Sequence, residues 1–84
     1  MNDFLQPGDI CISSAGETSY EQVEALAQSL GGEIIDSMPQ MRLYWLRFPG
    51  TQDSQKMDEM IEALLSYPQW VESAEPAAAL APGA

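Results

Sequence analysis

The chain has 84 residues, room for one small domain with a modest core. It carries 13 acidic and 3 basic side chains, a net charge of −10, so a nucleic-acid backbone is repelled and there is no basic stripe to bind one. There is no histidine and a single cysteine, Cys11, which excludes His-based general-base catalysis, Ser-His-Asp and Cys-His sites, an internal disulfide and nearly every zinc arrangement. No cofactor is expected.

Met1 to Pro7 is a polar lead-in without the basic and apolar regions of a secretory signal, and no apolar run approaches the ~20 residues of a membrane span. The expected setting is therefore the reducing cytoplasm. Pro7-Gly8 signals a turn, and Asp9-Ile10-Cys11-Ile12-Ser13 alternates as a first strand, with Ile10 and Ile12 on one face and Cys11 on the other. Thr18-Ser19-Tyr20-Glu21 reads as a capping box with Thr18 as N-cap and Glu21 reaching back; Ser19 with Gln22 is the alternative register. The helix runs to about Leu30, with Tyr20, Val23, Leu26, Ala27 and Leu30 on one face, and Gly31-Gly32 stops it by placing one glycine in the left-handed position.

Glu33 to Met38 is a second strand, in which the adjacent Ile34 and Ile35 force one of the pair away from the helix layer. Pro39-Gln40 connects it tightly to a third strand, Met41 to Phe48, the richest β-forming stretch of the chain. Tyr44, Leu46 and Phe48 make one face of that strand; Met41, Leu43, Trp45 and Arg47 make the other. After the turn at Pro49-Gly50, Asp53 or Ser54 caps a second helix with Met57, Met60, Ile61, Leu64 and Leu65 at helical spacing, and Tyr67-Pro68 ends it. Val71 to Glu75 is a fourth strand, ended by Pro76, and the uncharged Ala77 to Ala84 is expected as an extended, flexible tail.

The order β-α-β-β-α-β with short links is the ferredoxin-like α+β plan: one domain over residues 1–76, a tail over 77–84, a four-stranded antiparallel sheet in the order 4-1-3-2, and both helices on one face through right-handed crossovers. With Ile10, Ile12, Tyr44, Leu46 and Phe48 turned to the helices, Cys11, Leu43 and Trp45, with Met41, face the open side. An antiparallel sheet with one wet face normally shows polar residues there, and tryptophan at its centre marks a binding surface.

Four segments resemble a known family: Val23-Glu24-Ala25-Leu26-Ala27 running into Gly31-Gly32-Glu33-Ile34-Ile35; Leu43 to Pro49; the second helix into Tyr67-Pro68; and Val71-Glu72-Ser73-Ala74-Glu75-Pro76. Their order and spacing are similar to the propeptide domains of subtilisin-like serine proteases and their stand-alone relatives, the small fungal proteinase inhibitors. The resemblance implies an inhibitor or folding chaperone rather than an enzyme. It implies that the open sheet face, with Leu43, Trp45 and Met41, docks on two surface helices of the protease, and that Glu75, with Glu72, caps the N-termini of those helices. It also implies that the tail, Leu80-Ala81-Pro82-Gly83-Ala84, lies product-like in the active-site cleft.

Two features depart from the family pattern. No protease domain follows Ala84, so the expectation is a free protein acting in trans, a monomer or weak homodimer, with a subtilisin-like protease as partner. The tail also lacks a large final side chain: with Leu80 in the upstream pocket, Gly83 takes the primary one, and with Ala84 in the primary pocket, Ala81 is the upstream anchor. The competing expectation is an interaction module, a homodimer or a regulator, packed on the same open face with no protease target.

Overall fold

The computed structural model describes residues 8–77. Four strands, β1 (Ile10–Ser14), β2 (Glu33–Met38), β3 (Leu43–Arg47) and β4 (Val71–Pro76), form one antiparallel sheet in the order β2-β3-β1-β4, and two helices, α1 (Tyr20–Ser29) and α2 (Ser54–Leu65), complete the α+β ferredoxin-like arrangement. Ile10, Ile12, Tyr44, Leu46 and Phe48 of the sheet and its flank pack with Val23, Leu26, Ala27, Met57 and Leu64 of the helices in a single core. The two central strands carry most of the large side chains because both of their neighbours shield them from water.

Local chemistry sets the ends of α1. Ser19, not Thr18, is the N-cap: its hydroxyl accepts from the Gln22 N–H at 3.2 Å, and the Gln22 side chain accepts from the Ser19 N–H at 2.9 Å. Thr18 is held back in the loop, because its N–H and its hydroxyl both donate to the Ala15 carbonyl, at 3.1 and 2.6 Å. At the other end Gly31 takes φ 91°, and the Gly31 and Gly32 N–H groups donate to Gln28 and Ala27 at 3.0 and 2.8 Å. That pair of bonds is a Schellman closure. Gly32 is needed for a different reason. A Cβ there would stand 2.3 Å from the Phe48 ring and 2.7 Å from the Arg47 carbonyl oxygen, so the absent side chain lets the turn lie against β3.

β3 is shorter than its composition predicts. Pro39–Met41 form a 3₁₀ turn, and Arg42 closes it in the left-handed region at φ 59°. Pro39 has its φ preset for the first position of such a turn, and the Arg42 N–H returns to the Pro39 carbonyl at 3.0 Å. Met41 therefore lies in the turn before the strand rather than in it. In α2, capped by the Asp53 carboxylate through the Gln55 N–H at 3.2 Å, Met57 and Leu64 are buried, but Leu65 is 43 % exposed. Leu65 stands about 100° around the helix from Leu64, outside the arc that the sheet covers. Tyr20 is also largely exposed and meets the core through the tilted face of Tyr44, 6.1 Å away between ring centres.

Candidate functional site

The strand registers lay the open face out in rows. Asp36 stands opposite Trp45, Trp45 opposite Cys11, and Cys11 opposite Glu75, so one row crosses β2, β3, β1 and β4 as Asp36, Trp45, Cys11, Glu75. The three strand intervals make this row roughly 14 Å wide. The next row is Met38, Leu43, Ser13, Ser73. Leu43 and Trp45, both expected on this face, are brought together there and are half-buried. Met38 joins them at 36 % exposure, and Met41, at 59 %, sits at the end of the hairpin beside the row. The result is an apolar centre on a face that the helices do not cover.

Two irregularities decide which polar groups frame that centre. Ile35 is an extra residue between Ile34, paired with Leu46, and Asp36, paired with Trp45. The bulge resolves the adjacent isoleucines: Ile34 packs on the core, and Asp36 is carried to the open face. On the other edge, the register shifts between Ser13, paired with Ser73, and Ser14, paired with Val71, which leaves Glu72 in the bulge. Its carboxylate accepts from the Ser13 hydroxyl at 3.5 Å. Glu75 and Glu72 are both exposed on the β4 side.

Cys11 forms the floor of the row and is only 3 % exposed. Burial, and after it the charge of Glu75, push its thiol up to about 11. It is an inert filler between Trp45 and Glu75, because the thiolate that reactivity requires is disfavoured.

The most heavily engaged polar group of this face had no local signal. Asp9 is 2 % exposed, and its carboxylate accepts two bonds from Arg47, Nε to Oδ1 and Nη2 to Oδ2, both at 3.0 Å. The fork is bidentate, the geometry in which guanidinium and carboxylate bind most strongly. The hydrogen bonding of its guanidinium to the Asp9 carboxylate raises the Arg47 pKa further above its already high ordinary value. The pair spans 38 residues of sequence, which no window of periodicity crosses. Leu80, Ala81, Pro82, Gly83 and Ala84 lie outside the described residues. No helix among the described residues is long and apolar enough to cross a membrane, and no three metal-ligating side chains among them could hold a metal ion.

A family model described as the fervidolysin N-terminal prodomain matches residues 14–77, from the end of β1 through β4. The chain belongs to this family. It is a prodomain family of subtilisin-like proteases, as the sequence resemblance implies, and a prodomain is a propeptide rather than a catalytic domain. Comparison with curated proteins gave no match, and comparison with solved structures gave none. The family places this chain with the propeptides of subtilisin-like proteases.

Proposed function

We propose that this prodomain binds a subtilisin-like serine protease through its open sheet face and inhibits it in trans, with residues 1–76 as the docking unit and residues 77–84 as a segment laid product-like in the active-site cleft. The observation that carries the reading is the apolar centre of Leu43, Trp45 and Met38 on the face opposite the helices, in a chain of a protease-prodomain family. Apolar side chains there gain from being covered, and a tryptophan flanked by polar groups has the composition of an interface hot spot.

Glu75 and Glu72, both exposed on β4, would meet the N-terminus of a partner helix. Unpaired N–H groups and the positive end of the helix dipole favour a carboxylate at that place. Ala77 follows the last ladder pair and begins a 3₁₀ turn, with its N–H on the Asp9 carbonyl at 2.8 Å. Backbone addition to a substrate-binding strand would need residues 78–84 to be extended when bound. The same contacts would let the domain assist folding of its protease, because whatever binds the native protease also stabilises native-like states on the way to it.

The test is a titration of a subtilisin-like protease, following hydrolysis of a chromogenic peptide. It compares the intact chain with Trp45→Ala and with a full-length variant carrying Ala79→Pro, Leu80→Pro and Ala81→Pro, whose tail cannot donate to a neighbouring strand. The intact chain inhibits. Trp45→Ala weakens inhibition by about 30-fold, a loss of ~2 kcal/mol of docking energy. The proline variant binds without inhibiting. Undiminished hydrolysis in an excess of the intact chain would overturn the reading, and the apolar face would then belong to a different partner or to a second copy of the chain.

A further inference from the structure

The segment Gly8-Asp9 is held from four directions. The Thr51 hydroxyl donates to the Gly8 carbonyl at 2.6 Å. Gly8 itself takes φ 98°, and a Cβ on it would lie 2.8 Å from the Gln52 nitrogen, so backbone packs directly on backbone. The Arg47 fork holds the Asp9 carboxylate. Finally, the Ala77 N–H donates to the Asp9 carbonyl at 2.8 Å. The last of these bonds has a particular position in the sheet. β1 and β4 end their pairing at Ile10 and Pro76, and Pro76 has no N–H to give. The Asp9 carbonyl is thus the acceptor for the first donor beyond β4, and Ala77, 1 % exposed, is the root of the C-terminal segment.

The Asp9 side chain is 1 % exposed and that of Arg47 32 %, so burial penalises the carboxylate far more than the guanidinium. A carboxylate buried at such a cost needs the fork it accepts, and that fork in turn fixes its geometry. Asp9 precedes β1 and lies at the end of the sheet, where strands fray unless something holds them. Arg47, at the end of β3, supplies the hold from the neighbouring strand.

We propose that the Arg47–Asp9 pair is a positioning device for inhibition: it fixes the Asp9 carbonyl, which anchors Ala77 and so sets the direction in which the C-terminal segment leaves the sheet toward the protease cleft. This rests on the docking reading above and adds to it two positioning residues that act on the cleft-binding segment through Ala77 rather than by entering the cleft. A fixed exit direction lowers the entropy that the segment loses on binding, the general benefit of preorganisation.

The experiment uses full-length chains and has two readouts. The first needs no protease. Amide hydrogen exchange in Asp9→Asn should show the protection of the Ala77 N–H falling at least about tenfold while that of Glu75, whose pairing with Cys11 lies within the β1–β4 ladder, is kept. The second is inhibition of a subtilisin-like protease that the unaltered chain inhibits, set beside affinity for its serine-to-alanine form. Asp9→Asn should raise the inhibition constant about tenfold, ~1.4 kcal/mol. In the Ala79→Pro, Leu80→Pro, Ala81→Pro background, which has lost the use of the segment, Asp9→Asn should leave affinity for the inactive protease unchanged. Arg47→Lys keeps the charge and loses the fork; it takes the same measurements should Asp9→Asn fail to fold. Equal protection of Ala77 overturns the proposal, as does undiminished inhibition by the folded variants. A loss of affinity that persists in the proline background also overturns it, since that assigns the pair to a docking contact or to general stability. Failure of the unaltered chain to inhibit any such protease falls on the docking reading instead, with the exchange result still deciding the anchoring of Ala77.

Discussion

Replacing Gly32 by alanine tests how closely the helix turn and the sheet are fitted. The added methyl would meet Phe48 Cδ1 at 2.3 Å, Cε1 at 2.4 Å and the Arg47 carbonyl oxygen at 2.7 Å. Neither obstacle yields cheaply: the Phe48 side chain is 2 % exposed within the core, and the carbonyl belongs to a central strand. Overpacking of this kind costs about 3 kcal/mol, and the stiffer unfolded chain that alanine gives returns about 1 kcal/mol, a net loss of ~2 kcal/mol. At ~2.1 cal/mol/K of unfolding entropy per residue, 84 residues give ~0.18 kcal/mol/K, so Tm falls by roughly 11 °C. The assay is thermal and urea unfolding followed by tryptophan fluorescence. Gly31→Ala is the control: nothing stands within 4 Å of its Cβ, and only its φ of +91° opposes the change, at about 1 kcal/mol or ~6 °C. Gly32→Ala melting within ~2 °C of the unaltered chain, or above Gly31→Ala, would refute the reasoning.

Three further outcomes follow from the surface and the caps. Cys11 should alkylate far more slowly at pH 8 than an unfolded cysteine, and because its folded pKa of about 11 lies above its ordinary value of 9.0, the stability it contributes is fully present below pH 9 and is lost as pH rises through 11. Urea titrations at pH 8 and pH 10.5 check this, and alkylation at the unfolded rate would contradict it. With a net charge of −10, the isolated domain repels itself, so Tm should rise by a few degrees between about 20 mM and 500 mM NaCl, and a flat response would show that the acids are too well separated to matter. Ser19→Ala removes one arm of the α1 capping box and should cost about 1 kcal/mol in urea unfolding, whereas Thr18→Ala should leave the box intact; the reverse ranking would restore Thr18 as the cap.

Much of this protein is written in local patterns. Alternation in β1 and β3 placed Ile10, Ile12, Tyr44 and Leu46 toward the helices and Leu43 and Trp45 away from them, because a strand's period of two leaves no other choice once one face is buried. Gly31-Gly32 and Asp53-Ser54 announced the end of α1 and the start of α2, and the structure puts Gly31 in the left-handed region and Asp53 at the cap, since each satisfies backbone groups within its own turn. The order of elements then gave the strand order through short links and right-handed crossovers.

What tertiary structure alone decided is what crosses the sheet. The bulge at Ile35 delivers Asp36 to the row of Trp45, and the shift at Ser13/Ser14 leaves Glu72 in a bulge, because strand partners rather than neighbours in sequence set the register. Met41 left the strand when the hairpin needed a left-handed residue and Arg42 supplied it. Asp9 and Arg47 meet across 38 residues, each unremarkable in its own window, and only the pairing of β1 with β3 makes them one group. Composition and periodicity determine which side chains seek the interior; the partner each polar group finds depends on strands brought together from distant parts of the chain.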